Sequence, residues 1–175
     1  MRYIFFTCCI LVIAASLNSC GTTQAFTKAA YINNDAVHIP NEKATAITIV
    51  AVSMSSDKGL YEKAAGQIQS YLMGRNISSD MLFFDATQNV ADVNAKIKQS
   101  SKPYYLILEK MSSGTRKDEL SMDMIFNEIN CSLQKSTGER IADISVAIDR
   151  QTTSSKLGKQ IADLITGYLT KKHLI

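Results

Sequence analysis

Apolar residues recur along the chain at two spacings, one typical of buried strands and the other typical of amphipathic helices. Residues 44–54, ATAITIVAVSM, are nearly continuous in apolar character, which predicts a strand covered on both faces. Residues 57–75 follow with helical spacing, capped by Asp57 and stopped near Gly74. The stripe that this helix should turn toward the sheet consists of Tyr61, Ala64, Ala65, Ile68, Tyr71 and Leu72.

The alternation of strand and helix continues to residue 109. Residues 81–84, MLFF, predict a short strand, and a weaker helix with Val90, Val93 and Ile97 on one side follows and ends before Pro103. Residues 104–109, YYLILE, predict a third strand. The order strand, helix, strand, helix, strand predicts right-handed crossovers and largely parallel pairing.

Beyond residue 109 the pattern indicates antiparallel strands. Residues 112–117 predict a polar turn, and in the long strand that follows the apolar residues move from even positions to odd positions. This slip of one residue predicts a β-bulge at residues 126–128. Residues 136–139, STGE, predict the turn of a hairpin that has one wet face. The apolar positions are Leu120, Met122, Met124 and Phe126, then Ile129, Cys131 and Leu133, then Ala142, Ile144, Val146 and Ile148.

The chain closes with a predicted helix over residues 154–172, in which we expect Ile161 and Leu164 to be among the most buried residues. Its other stripe positions are Leu157, Ile165, Tyr168 and Leu169. The whole pattern predicts an α/β (α+β) domain of the order βαβαβ, β-hairpin, helix, with a mixed sheet and helices packed on it. We expect this single globular domain to occupy residues 44–175.

The first twenty residues, MRYIFFTCCILVIAASLNSC, have the layout of an export signal. Arg2 precedes an uncharged apolar run that is shorter than the roughly 20 residues that span a bilayer. The segment Leu17-Asn18-Ser19-Cys20 resembles the lipobox of bacterial lipoproteins. This resemblance implies that residues 1–19 are a signal peptide and that Cys20 carries the acyl chains. The alternatives are a secretory leader cut elsewhere, a transmembrane anchor, or the buried first helix of a cytosolic domain.

Residues 20–43 are expected to connect the lipid to the domain. Residues 21–34 are polar and small, and as a flexible chain they would span roughly 20 Å, while residues 35–40 can add a short extended edge segment. Gly21, with no acidic run after it, resembles the sorting pattern of outer-membrane lipoproteins. The resemblance implies a lipid-anchored, periplasm-facing protein of the outer membrane, with the inner membrane and the cell surface as alternatives.

Charge and cysteine content exclude several classes of protein. Without Arg2 the mature chain has 18 basic and 16 acidic residues, too even a balance for a nucleic-acid partner. Cys8 and Cys9 would leave with the leader and Cys20 would carry lipid, so Cys131 remains alone and is expected to be a buried strand residue rather than a redox or nucleophilic group. His38 and His173 lie too far apart in sequence to suggest a zinc site with that cysteine.

No catalytic motif is present in the sequence. It contains neither the Gly-x-Ser-x-Gly of a hydrolase elbow nor a phosphate-binding loop. Asp143 and Asp149 would stand about 20 Å apart along one strand, and Asp80 and Asp85 flank a strand at opposite ends, as turn and cap residues do. We therefore expect no enzyme activity, no cofactor and no metal. An enzyme would instead need a deep polar pocket containing Asp85, Glu109 or Asp123 close together.

The element order, with the segments LQKSTGERIADISVAID and KLGKQIADLITGYLTK, resembles the amino-terminal domain of the TolB periplasmic protein, which several small outer-membrane lipoproteins share. This resemblance implies a non-catalytic binding or adaptor module that contacts another envelope protein. The chain has no propeller-length continuation after the domain and no long proline-rich tether. We expect contact through the hairpin surface of residues 120–148, with a structural subunit of an envelope or transport assembly as the alternative and a small-ligand carrier or enzyme as a weaker one.

Replacing the proposed lipidation site tests the anchor. Cys20→Ala should leave unprocessed precursor and abolish incorporation of radiolabelled palmitate, because acylation of the thiol precedes cleavage. Cys9→Ala, inside the leader, is the matched control and should be processed and acylated normally. Processed, acylated protein from Cys20→Ala would refute the assignment.

Overall fold

The computed structural model describes residues 30–37, 43–117, 123–149 and 154–175. These ranges contain six strands and three helices. In chain order they are β1 (Ala30–Val37), β2 (Ala46–Ser53), α1 (Lys58–Met73), β3 (Ser78–Asp85), α2 (Val90–Lys98), β4 (Tyr104–Lys117), β5 (Asp123–Lys135), β6 (Arg140–Asp149) and α3 (Ser154–Lys171).

All six strands form one mixed sheet in the order β1-β6-β5-β4-β2-β3. Strand β2 lies between β3 and β4 and is parallel to both, whereas the other neighbouring pairs are antiparallel. The predicted mixed α/β fold, with a βαβαβ unit, a hairpin and a closing helix, is therefore confirmed. The turn predicted at residues 136–139 is also confirmed, because Gly138 adopts a φ of 90° there, a value that glycine reaches without strain.

The hydrophobic core lies between one face of the sheet and the helices α1 and α3. Near their carboxyl ends, the hydroxyls of Tyr71 and Thr170 are 2.9 Å apart and hydrogen-bonded. The segment after α3 closes this end of the core, since the Ala44 amide donates to the Leu174 carbonyl at 2.8 Å. Fully buried side chains in the core include Ile47, Ile49, Ile68, Leu72, Leu106, Leu108, Leu133, Ile144, Ile161, Ile165 and Leu169.

The opposite face of the sheet is more polar. Asn130 and Ser132 are buried there, and the Asn130 amide donates to Glu109 at 3.3 Å. The Thr48 hydroxyl bonds to that of Ser100, just beyond α2. Helix α2 itself contributes no buried residue, and its first residue, Val90, is 72% exposed. Two of the three members of its predicted stripe, Val93 and Ile97, are half-buried.

Strand β4 is longer than the sequence suggests. It runs through residues 112–117, where Gly114 pairs with Phe126 of β5, so the predicted polar turn at that position is wrong. Serine, glycine and threonine favour turns locally, but a long partner strand supplies hydrogen bonds that keep the backbone extended. The reversal of the chain between β4 and β5 lies outside the described residues.

The bulge predicted in β5 lies instead in β4. Strand β5 pairs with β6 in unbroken register from Phe126 to Leu133, whereas its register with β4 shifts between Lys110 and Ser112. The extra residue is therefore Met111 of β4, which lies opposite Glu128 and Ile129. Because β5 itself carries no extra residue, the change of its apolar positions from even to odd does not mark a bulge in that strand.

The amino-terminal edge strand begins earlier than predicted. Strand β1 starts at Ala30 and pairs with β6, so it includes residues assigned above to the tether. The last part of the predicted edge segment, with His38 and Pro40, lies outside the described residues, as do Cys20 and the whole leader.

Helix α3 packs on the core, as its pattern predicts, but the two residues expected to be most buried differ in exposure. Ile161 is 0% exposed, whereas Leu164 is only partly buried against the core, which corrects the expectation for that residue. Leu164 lies about one helical turn from Ile161 and at the border of the buried stripe, so it keeps contact with solvent.

Replacing each of these two residues by alanine should distinguish the fully buried site from the partly buried one. Ile161→Ala should destabilise the domain by about 2 to 5 kcal/mol because it empties a closed core site, which would lower the melting temperature by roughly 5 to 15 °C. Leu164→Ala should cost less. Thermal unfolding followed by circular dichroism measures both, and melting of both variants within a degree or two of wild type would contradict the packing.

Candidate functional site

A cavity of about 220 Å³ lies at the carboxyl ends of β2 and β3. Ligands of open α/β sheets often bind at this end of parallel strands. The lining mixes hydroxyl, amide, charged and aromatic side chains, namely Ser53, Ser55, Lys58, Phe83, Phe84, Asp85 and Gln88. Of these residues, the sequence alone points only to Asp85 as a candidate. The signal that could reveal the others is that two neighbouring strands end at Ser53 and Asp85.

Asp85 is held by groups from both neighbouring loops. Its carboxylate accepts hydrogen bonds from the Thr87 amide at 2.9 Å and the Thr87 hydroxyl at 2.7 Å, and from the Ser55 hydroxyl at 3.1 Å. The Thr87 hydrogen bonds, with smaller contributions from Ser55 and the charge of Lys58, lower the pKa of Asp85. An ionised Asp85 therefore closes the turn after β3, which agrees with the turn role predicted for it.

A second polar group joins the start of α1 to β4. The Lys110 ammonium lies 3.0 Å from the Asp57 carboxylate, and Asp57 occupies the N-cap position without a side-chain capping bond. The sequence correctly places the helix start but not the partner of this carboxylate. Burial raises the pKa of the nearby Tyr61 phenol, and the negative charges of Asp57 and Glu109 raise it further.

The structure does not bring Asp85, Glu109 and Asp123 together. Asp85 pairs with Ser53 at the end of β2, and Glu109 lies on β4, on the other side of β2, so their backbones are roughly 10 Å apart. Asp123 pairs with Lys117, about 25 Å farther along β4. Two other acids form ion pairs, Asp80 with Lys102 at 3.6 Å and Asp143 with Arg140 at 3.4 Å.

Cys131 lies in the core, as predicted, and burial raises the pKa of its thiol. Within the described ranges no group of three or more His, Cys, Asp and Glu side chains is arranged to hold a metal ion. His173 is exposed after the last turn of α3. None of the helices in the described ranges is both long and apolar enough to cross a membrane.

Residues 113–117 of β4 and 123–127 of β5 form a two-stranded arm at one end of the sheet. The last pair between β2 and β4 is Val52 with Glu109, so among the described residues this part of β4 has a strand neighbour on one side only. Strand β5 begins to pair with β6 only at Phe126. Within the part of the chain that the structure describes, residues 115–117 and 123–125 therefore pair only with one another. We call residues 113–117 and 123–127 together the β4–β5 arm.

Comparison with known proteins identifies the fold. No family model matches the chain, and no curated protein matches its sequence. A solved structure of the PelC dodecamer from Paraburkholderia phytofirmans superposes with a TM-score of 0.51 at 8% identity, covering 78% of this chain and 96% of that one. The chain shares this fold. At such low identity the likeness concerns the fold alone.

Two other solved structures superpose less closely. XCC0632 from Xanthomonas campestris has a TM-score of 0.44 at 9% identity and covers 77% of this chain and 86% of its own. A minor lipoprotein from Acinetobacter baumannii has a TM-score of 0.33 at 12% identity, with 69% and 93% covered. Likenesses of this size establish no shared function, and the resemblance to the TolB amino-terminal domain stays a prediction.

The buried thiol gives a direct test of the core. In a chain whose Cys8, Cys9 and Cys20 are replaced by Ser, Cys131 should not react with a thiol reagent at pH 8 until the protein unfolds, because the reagent cannot reach it and burial disfavours the thiolate. Lys159→Cys, which places a thiol on an exposed position of α3, is the control and should react at once. Rapid stoichiometric labelling of Cys131 in the folded protein would contradict the structure.

Proposed function

We propose that this chain is a lipoprotein of the bacterial envelope, anchored at Cys20, whose domain is a non-catalytic binding module for another envelope protein. The observation that carries the proposal is the β4–β5 arm, which extends past the strands on both sides of it. We place the anchor in the outer membrane with the domain facing the periplasm, in keeping with Gly21 after the lipobox cysteine.

The arm suits binding because its backbone is incompletely paired. Two strands alone are marginally stable in water, and the outer edge of β4 past Glu109 faces no further strand among the described ranges. Unpaired N–H and C=O groups along such an edge can accept a strand from a partner. The β5 side of the arm also contains Met124, Ile125 and Phe126 in sequence, residue types that protein interfaces use often.

The cavity beside Asp85 gives weaker support to a small-ligand carrier or an enzyme. Its volume of about 220 Å³ is below the roughly 300 to 1,000 Å³ of typical small-molecule sites. The three hydrogen bonds that Asp85 accepts already occupy much of its capacity. This carboxylate therefore has a sufficient structural role in the turn.

A second candidate function is that of a subunit in a homo-oligomeric envelope assembly. The observation that favours it is the shared fold with PelC, which forms a dodecamer and is covered over 96% of its length. In this case the open edge of β4 would meet a second copy of the chain. Light scattering of detergent-extracted protein would then show a stable oligomer of defined mass.

Crosslinking in intact cells tests the binding proposal. A photo-crosslinking residue at position 113, 115 or 127 of the arm should capture one recurrent envelope protein, which mass spectrometry would identify. The matched controls replace Lys159 and Asp163, which are exposed on α3, and should capture little of it. A product with the mass of two copies would favour the oligomer, and equal capture from arm and controls would contradict a role for the arm.

A further inference from the structure

The direction of β1 shows at which end of the sheet the tether joins the domain. Strand β1 is antiparallel to β6, with Ala30 beside Ile148 and Val37 beside Ala142. Strand β6 ends at Asp149, so the chain that precedes Ala30 arrives at the end where β6 finishes. Because β5 and β6 are also antiparallel, this is the end where β5 begins.

The arm projects from this same end. Ile148 pairs with Ala30 on one side and with Asn127 on the other, so these three residues form one row across the sheet. From that row β5 continues backward along the chain to Asp123, which pairs with Lys117. Four residues of strand correspond to about 13 Å. The described part of the arm therefore extends about that far past the point where the tether enters.

The length of the tether limits which end of the domain can meet the bilayer. The ten residues from Cys20 to Ala30 span roughly 17 Å as a flexible chain and at most about 35 Å when fully extended. The opposite end of the sheet, at the turn that contains Thr137, lies about 30 Å from the row of Ala30, because β6 has ten residues. For that end of the domain to meet the bilayer, the tether would have to run nearly straight along the whole length of the domain.

Cations are present at both ends of the domain, with Arg116 and Lys117 in the arm and another set at the opposite end, so surface charge alone does not select the end that meets the bilayer. Arg75, Lys171 and Lys172 are exposed at the end of the domain opposite the arm, and exposed cations are attracted to anionic lipid headgroups. That attraction fades within a Debye length of about 8 Å. The cations at the opposite end lie about 30 Å from the row of Ala30, so this attraction does not reach them when the arm end faces the bilayer.

We infer that the β4–β5 arm faces the membrane that holds Cys20, and that its partner is a protein embedded in that membrane rather than a soluble periplasmic protein. The inference rests on the proposed function, since it uses both the lipid anchor and the binding role of the arm. An integral protein of that membrane is the class of partner that the arm can reach while the domain stays anchored to the bilayer.

Fluorescence quenching on vesicles tests the orientation without any partner. The mature, acylated protein would be placed on vesicles whose lipids carry a short-range quencher on their headgroups. A dye on Thr115→Cys should be quenched strongly, and a dye on Thr137→Cys, at the opposite end, should be quenched little. Thirty Gly and Ser residues inserted between Thr23 and Gln24 should abolish the difference. Equal quenching at both positions with the native tether, or stronger quenching at position 137, would overturn the orientation.

The nature of the captured protein tests the partner class separately. In cells with the native tether, the protein crosslinked to position 115 should stay with the membranes after an alkaline carbonate wash, as integral proteins do. Recurrent capture of a protein that the wash removes would overturn this inference and leave the proposed function standing. Capture of no protein from any arm position would contradict the proposed function itself, whichever orientation the vesicles report.

Discussion

The close contact between α1 and α3 is the constraint on which the rest of this fold depends. A Cβ at Gly158 would lie 2.9 Å from the Lys63 Cβ and 3.2 Å from the Ala64 amide nitrogen, distances that a well-packed pair of helices cannot accept without moving apart. The absence of a side chain at this position lets α3 lie against α1 and cover one face of the sheet. Ile161 and Ile165 on α3 are fully buried as a result.

Periodicity of apolar residues was sufficient to predict the elements that surround this core. The continuous apolar run of β2 and the helical stripes of α1 and α3 depend on burial, and burial leaves a pattern in the sequence. The extension of β4 through Gly114 left no such pattern, because its pairing with Phe126 depends on a strand elsewhere in the chain. The bulge shows the same limit, since the extra residue is Met111 of β4 and the apolar pattern of β5 does not indicate it.

The candidate site was less predictable than the fold. Asp57 was recognised as the residue before a helix, but its carboxylate binds Lys110, 53 positions away, and no local pattern encodes that contact. The cavity depends on Ser53 and Asp85 ending adjacent strands, which becomes visible only once the strand order is known. The arm could be found only from registers, because it is defined by where pairing with β2 and β6 stops.

The pairing of β1 with β6 also has a mechanical consequence. Its hydrogen bonds run across the strands, and the chain leaves Ala30 along the direction of the strand. A pull on this end of the chain, with the domain held from its far side, would act parallel to β1 and load those bonds together instead of opening them one after another. This geometry resists force in shear, so a sheet edge that is unremarkable at equilibrium can serve as a durable point of attachment under tension.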